Sequence, residues 1–160
     1  MKNLFCTLLL TLCIVGAYAQ KIAVKKNLMT VDGQPYARIE GDGGALTSTQ
    51  YYINSPQNER LFVVKLLSFN DPGNASPNNP TGSTAYLQFV FTASRIIVET
   101  PMPGLFRSLS VARQIYGAQL LKNGALDKQA VADFSVNNGT VYSERRRALD
   151  QAAYMPPLGY

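Results

Sequence analysis

Leu61-Phe62-Val63-Val64-Lys65-Leu66-Leu67-Ser68-Phe69 is the most apolar run of the chain outside its first nineteen residues. It lies between Asn54-Ser55-Pro56-Gln57-Asn58 and Asn70-Asp71-Pro72-Gly73, both rich in turn formers. A short apolar run with β-branched and aromatic members, fenced by turn residues, reads as a strand rather than a helix. Side chains alternate across a strand, so Phe62, Val64 and Leu66 share one side. The other side holds Leu61, Val63, Leu67 and Phe69 and is interrupted by Lys65. An unpaired lysine is rarely buried, so that side should be thinly covered, with Lys65 reaching a rim. Burial of Lys65 beside an acid such as Glu99 would instead make the stretch a candidate site.

On the N-terminal side of this strand, Ile22 to Lys26 and Leu28 to Val31 read as a small meander. Asp32-Gly33 joins the latter to Gln34-Pro35-Tyr36-Ala37-Arg38-Ile39-Glu40. Asp-Gly between two strand-like runs predicts a type I′ hairpin, whose two central residues need positive φ. Pro35 has no N–H to donate, so it belongs at the start or free edge of its strand, near a sheet edge. After the break Gly41-Asp42-Gly43-Gly44, Leu46 to Ile53 reads as a strand with one wetted face.

On the C-terminal side, Asn70 to Ser83 holds prolines, glycines and asparagines, with only Ala75 weakly apolar. It reads as a mobile surface loop, tolerated because long insertions cost little entropy. Thr84 to Thr92 returns to strand periodicity, and Ala93-Ser94 turns the chain into Arg95 to Glu99. Pro101-Met102-Pro103-Gly104 then closes the β portion. From Leu105 the period becomes helical through Leu109, Ala112, Tyr116 and Leu120, with Asn123-Gly124 as the stop. Asp127 should cap a second helix, with Leu126 and Val131 as a hydrophobic staple and Asn138-Gly139 as its end. A third helix runs from Ser143 to about Ala153, halted by Pro156-Pro157. Strands followed by helices predict an α+β domain: a mainly antiparallel sheet of six or seven strands, with two or three helices on one face.

The first nineteen residues read as an export signal: Lys2, an apolar stretch from Leu4 to Val15, and Ala17-Tyr18-Ala19 as cleavage site. Residues 20–160 then form one domain, exported to the periplasm or beyond, without a membrane span. Cys6 and Cys13 both fall inside the signal, so the mature part has no cysteine to form a disulfide. Leu12 before Cys13 does not suit lipid anchoring. A chain of that length buries roughly 70% of its unfolded surface, enough for a core without staples. Without Lys2, fourteen of the fifteen basic residues face ten acids, a difference of +4. That mild excess bears on solubility and, lacking a basic stripe, does not point to nucleic acid.

The chain has no histidine. Together with the cysteine-free mature part, this removes Ser-His-Asp and Cys-His catalysis and the usual nitrogen and sulfur zinc ligands. Gly41 to Gly44 lacks the spacing of a phosphate or dinucleotide loop. Asp71, Asn74, Ser76 and Asn78 offer one carboxylate, too few for calcium, so no metal or other cofactor is expected. Two-carboxylate glycoside hydrolysis would need a converging pair, and most of the acids have a turn or cap to explain them. The candidate contact residues are Tyr36, Tyr52, Tyr86 and Arg145-Arg146-Arg147, set against a plain reading as packing tyrosines and a solvated helix face.

Val31-Asp32-Gly33-Gln34-Pro35-Tyr36-Ala37, the start at Gln20 after the signal, Leu121 to Asp127 and Asn138-Gly139-Thr140-Val141-Tyr142-Ser143-Glu144 together resemble small exported proteins of unknown function from Bacteroidetes. The resemblance covers most of the mature chain and implies a periplasmic or secreted place. It brings no functional residues with it. The expectation is a non-enzymatic binding or structural module, its partner an envelope protein or glycan. A carboxylate-dependent hydrolase and a small amphiphile carrier are the alternatives.

Overall fold

The computed structural model describes residues 20–44 and 47–154. The export signal, Leu46 and the stop at Pro156-Pro157 lie outside the described residues. Seven strands form one antiparallel meander in chain order: β1 (Ile22–Lys25), β2 (Leu28–Val31), β3 (Gln34–Gly41), β4 (Gln50–Asn54), β5 (Arg60–Asn70), β6 (Ser83–Phe91) and β7 (Ile96–Pro101). Three helices follow: α1 (Ser108–Gly117), α2 (Lys128–Asn138) and α3 (Val141–Tyr154). A two-stranded hairpin, β8 (Leu121–Lys122) with β9 (Ala125–Leu126), separates α1 from α2. The α+β order expected from the sequence is the one observed.

Strand β5 sits third from one edge and binds β4 and β6 along its length. Phe62 and Val64 are fully buried and Leu66 packs beside them. They join Ile39, Ile53, Phe89 and Val98 from the sheet and Val111, Ala112 and Ile115 from α1 in one apolar cluster. Phe62 packs on Phe89 and Phe91, at centroid distances of 6.2 and 4.9 Å. Phe134 of α2 meets Phe89 edge-on at 5.1 Å. Each such side chain stabilises the fold by about 1.5–3 kcal/mol through burial alone.

The local signals acted largely as their chemistry dictates. Asp32 and Gly33 take φ of 50° and 83°, the two positive angles of a type I′ turn. Pro35 lies at the start of β3, before the residues that β4 binds. Asp127 caps α2, its carboxylate accepting from the Gln129 and Ala130 amides at 3.0 and 3.1 Å. Leu126 and Val131 both join the core cluster, as a staple should.

Three expectations need correction. Strand β4 begins at Gln50, because Asp42 accepts from the amides of Thr49 and Gln50 and from the Thr49 hydroxyl, turning the chain before it can pair. Helix α1 begins at Ser108 rather than Leu105 and ends at Gly117. Asn123-Gly124 does not stop it: with φ of 53° and 78° the pair forms the turn of the β8–β9 hairpin. The segment from Asn70 to Ser83, expected to be a mobile loop, is a compact hydrogen-bonded assembly. Asp71 is buried there and caps a 3₁₀ turn at Pro72–Asn74, Ser76 bridges Asn79, and the Asp71 amide binds the Gly82 carbonyl at 3.0 Å. A Cβ on Gly82 would fall 1.9 Å from the Asp71 carbonyl oxygen, and its φ of +64° disfavours any other residue.

Of the two or three helices expected on one face, two share it. Strand residues Leu87, Phe89 and Phe91 face α1 and α2, whereas Tyr86 and Glu99 alternate to the opposite side of the sheet. It is Tyr86 and Glu99 that hold α3, which therefore lies on the outer face and not with the other two helices. The chain makes this passage around the free edge of β7, where the Glu99 amide donates to the Gly139 carbonyl at 2.9 Å. That bond also covers part of an edge that would otherwise be open to strand pairing.

Candidate functional site

Three anchors fix α3 to the outer face, all near its first turns. The Glu99 side chain is 1% exposed and accepts from the Tyr142 and Ser143 amides at 3.0 and 2.9 Å. It also accepts from the Ser143 hydroxyl and, at 3.1 Å, from the Gln88 side-chain amide. A carboxylate at the positive end of a helix, meeting otherwise orphaned N–H groups, is a cap supplied from another element. The Tyr142 ring stacks on Tyr86 at 4.8 Å and 7°. Arg145 completes the set with a two-pronged pair to Asp71, Nε and Nη2 each 2.8 Å from a carboxylate oxygen.

Arg145 and the Gly73 amide hold the Asp71 carboxyl down at about 2, against an ordinary 3.8. A depressed folded pKa means the contact stabilises fully above the unfolded value and is lost as pH falls through the folded one. Asp71→Asn should therefore lower the melting temperature at neutral pH, with the deficit shrinking below about pH 4 and vanishing near pH 2. A melting series of both proteins across that range checks it. A deficit that persists undiminished at pH 2 would show that charge is not the cause.

Beyond these anchors α3 has no buried residue. Between the sheet and the stretch of α3 from Ser143 to Asp150 lies a cleft of about 390 Å³. Leu67, Tyr86 and Gln88 form the floor, and Ser143, Arg146, Arg147 and Asp150 the wall. The wall residues are spaced three, four and seven apart, one stripe of a helix. Beside the cleft, the register carries Lys65 next to Gln88, and Gln88 next to Glu99. Lys65 is half-exposed, at the rim expected of it.

The next row of the outer face is Glu40, Tyr52, Val63, Val90 and Ile97, across β3 to β7. Tyr52, Val63 and Val90 are half-buried and Ile97 is 43% exposed. The Tyr52 ring carries the Arg60 guanidinium 4.1 Å from its centroid and accepts at its hydroxyl from Gln50 at 2.7 Å.

The six candidate contact residues thus separate. Arg146, Arg147 and the edge of buried Tyr86 meet at the cleft, and Tyr52 stands on the open part of the same face. Arg145 is turned to Asp71 and serves the fold. Tyr36 lies on the other side of the molecule, donating to the Leu121 carbonyl at 2.9 Å and meeting Tyr116 at 5.5 Å. Burial pushes its phenol above the ordinary value. Ser143 and Gln88 were missed, and Glu99, named only as an acid that a buried Lys65 would meet, is instead bonded to Gln88, Tyr142 and Ser143. The sequence signal was a lone acid in an otherwise apolar strand, which alternation places on the face away from the core.

No protein family, curated protein or solved structure matches the chain. Among the described residues no helix is long and apolar enough to cross a membrane, and no three acids gather where a metal could be held. The cleft contains one acid, Asp150, while Glu99 and Asp71 are committed to helix capping and to Arg145. Its charged lining is the guanidinium groups of Arg146 and Arg147 and the carboxylate of Asp150. Two-carboxylate hydrolysis has no pair to work with there.

Proposed function

We propose that this is an exported, non-enzymatic binding module of the bacterial envelope, and that the outer sheet face with its α3 cleft is the contact surface. The observation that carries the reading is the half-covered face: α3 is secured by its first turn and Arg145, and the two guanidiniums that follow stand over an open floor. Export is supported by the signal pattern of the first nineteen residues and by the resemblance to small exported proteins. A carrier for amphiphiles is less well supported, because the sheet is an open meander from β1 to β7 with its inner face filled by α1 and α2.

Binding of the mature chain to purified envelope polysaccharide and peptidoglycan tests the reading. Val63→Glu, on the outer face, should abolish retention. Val136→Glu should leave it intact, because Val136 is 86% exposed on α2 at the opposite face. Equal retention of both variants, or no retention of the wild type, would overturn the assignment. Release of soluble sugar or peptide during incubation would turn it towards hydrolysis.

A further inference from the structure

We propose that the α3 cleft is a binding site for an acidic sugar, with Arg146 and Arg147 taking a carboxylate or phosphate on the ring. The proposal rests on the binding-module reading and names the ligand of its cleft.

Three consecutive arginines on a helix point in three directions about 100° apart. Capping of α3 by Glu99 fixes which direction each one takes. Arg145 meets Asp71 in the geometry that guanidinium prefers with a carboxylate. Arg146 and Arg147 meet no such partner: among the described residues the ion pairs are Arg38 with Glu40 and Arg145 with Asp71. The strands beneath them could have offered an acid, but Glu99 is fully occupied by four donors. The remaining floor is Leu67, Tyr86 and Gln88. Lys65, one register step away, adds to the positive field.

The rest of the lining selects what carries the charge. Gln88 gives one amide N–H to Glu99, which orients the amide and leaves its oxygen and second N–H for a ligand. Asp150 is a second acceptor on the wall. Acceptors alongside guanidiniums suit a ligand with hydroxyl groups beside its oxyanion, not a bare ion. The half-buried carbon skeleton of Leu67, backed by the buried Tyr86 ring, offers a small apolar strip for the flat side of a sugar ring. At about 390 Å³ the cleft is in the size class of small-molecule sites.

Titration of the mature chain, followed by amide shifts in two-dimensional NMR, tests this with four probes: galacturonate, glucose 6-phosphate, inorganic phosphate and galactose. One or both acidic sugars should bind at least tenfold more tightly than galactose and inorganic phosphate, and should shift the Gln88 side-chain amide. The two acidic sugars distinguish carboxylate from phosphate. Arg146→Ala with Arg147→Ala should weaken binding at least tenfold, whereas Arg113→Ala, exposed on α1 at the opposite face, should not. Both arginines are exposed, so melting temperatures should stay within a few degrees and show the variant folded. Equal affinity for galactose, equal affinity for inorganic phosphate (an adventitious ion only), no binding by either acidic sugar, or binding that survives the double substitution would each overturn the proposal. If envelope binding still depends on Val63 in that event, the broader reading stands and only the ligand is wrong.

Discussion

Phe62→Ala should destabilise the protein by about 3–5 kcal/mol and lower its melting temperature by on the order of 10–20 °C. Phe62 is fully buried at the middle of the sheet and touches both Phe89 and Phe91. Phe89 in turn carries Phe134 of α2, so the vacated volume lies at the junction of sheet and helix layer. Strands β4 and β6 are hydrogen-bonded to β5 on both sides and cannot close in to fill it. Val63→Ala, one residue along, removes a half-buried side chain on the outer face and should cost within about 1 kcal/mol. Denaturant unfolding of the two variants side by side checks the difference. Comparable losses would mean that the outer face is as tightly packed as the inner one, against the two-sided reading of β5.

The contrast between those neighbours was legible in the sequence, because alternation assigns faces without knowing what covers them. The same period put Leu87, Phe89 and Phe91 of β6 on one face, and Asp-Gly marked the β2–β3 hairpin. Asn123-Gly124 went astray for an instructive reason. An Asn-Gly pair offers positive φ either to end a helix or to turn a hairpin. What decides between them is whether Leu121 and Leu126 can bury together, as they do. The placing of α3 was less legible still. Its anchors are polar or aromatic and lie 43 to 74 residues away in the chain, so no local period records them. Asp71 shows the same limit: in a segment without apolar residues, one buried carboxylate supplies the anchorage that composition appeared to deny. Of the site, the residue types were readable and their roles were not. Which arginine is structural and which faces the cleft depends on the phase of α3, and that phase is set by Glu99.

Glu99→Ala therefore tests both the fold and the site. Removing the carboxylate leaves the Tyr142 and Ser143 amides, the Ser143 hydroxyl and the Gln88 amide without their acceptor. Each buried donor left unsatisfied costs about 1–3 kcal/mol, and water entering from the cleft recovers part of the sum. A net loss of about 3 kcal/mol is expected. Glu99→Gln keeps the shape and one acceptor but loses the charge at the helix end, and should cost about 1–2 kcal/mol. The two losses should differ in kind as well as size. In the alanine variant α3 should open independently of the sheet, because its remaining holds are the Tyr86 stack and the Arg145 pair. Hydrogen exchange should then show amides of 141–154 losing protection while those of β5 and β6 keep theirs. Arg146 and Arg147 leave the cleft with the helix, so ligand binding should fall in step with that protection. If α3 stays protected in Glu99→Ala, the buried carboxylate is not what holds it, and the arginines owe their placing to something other than the cap.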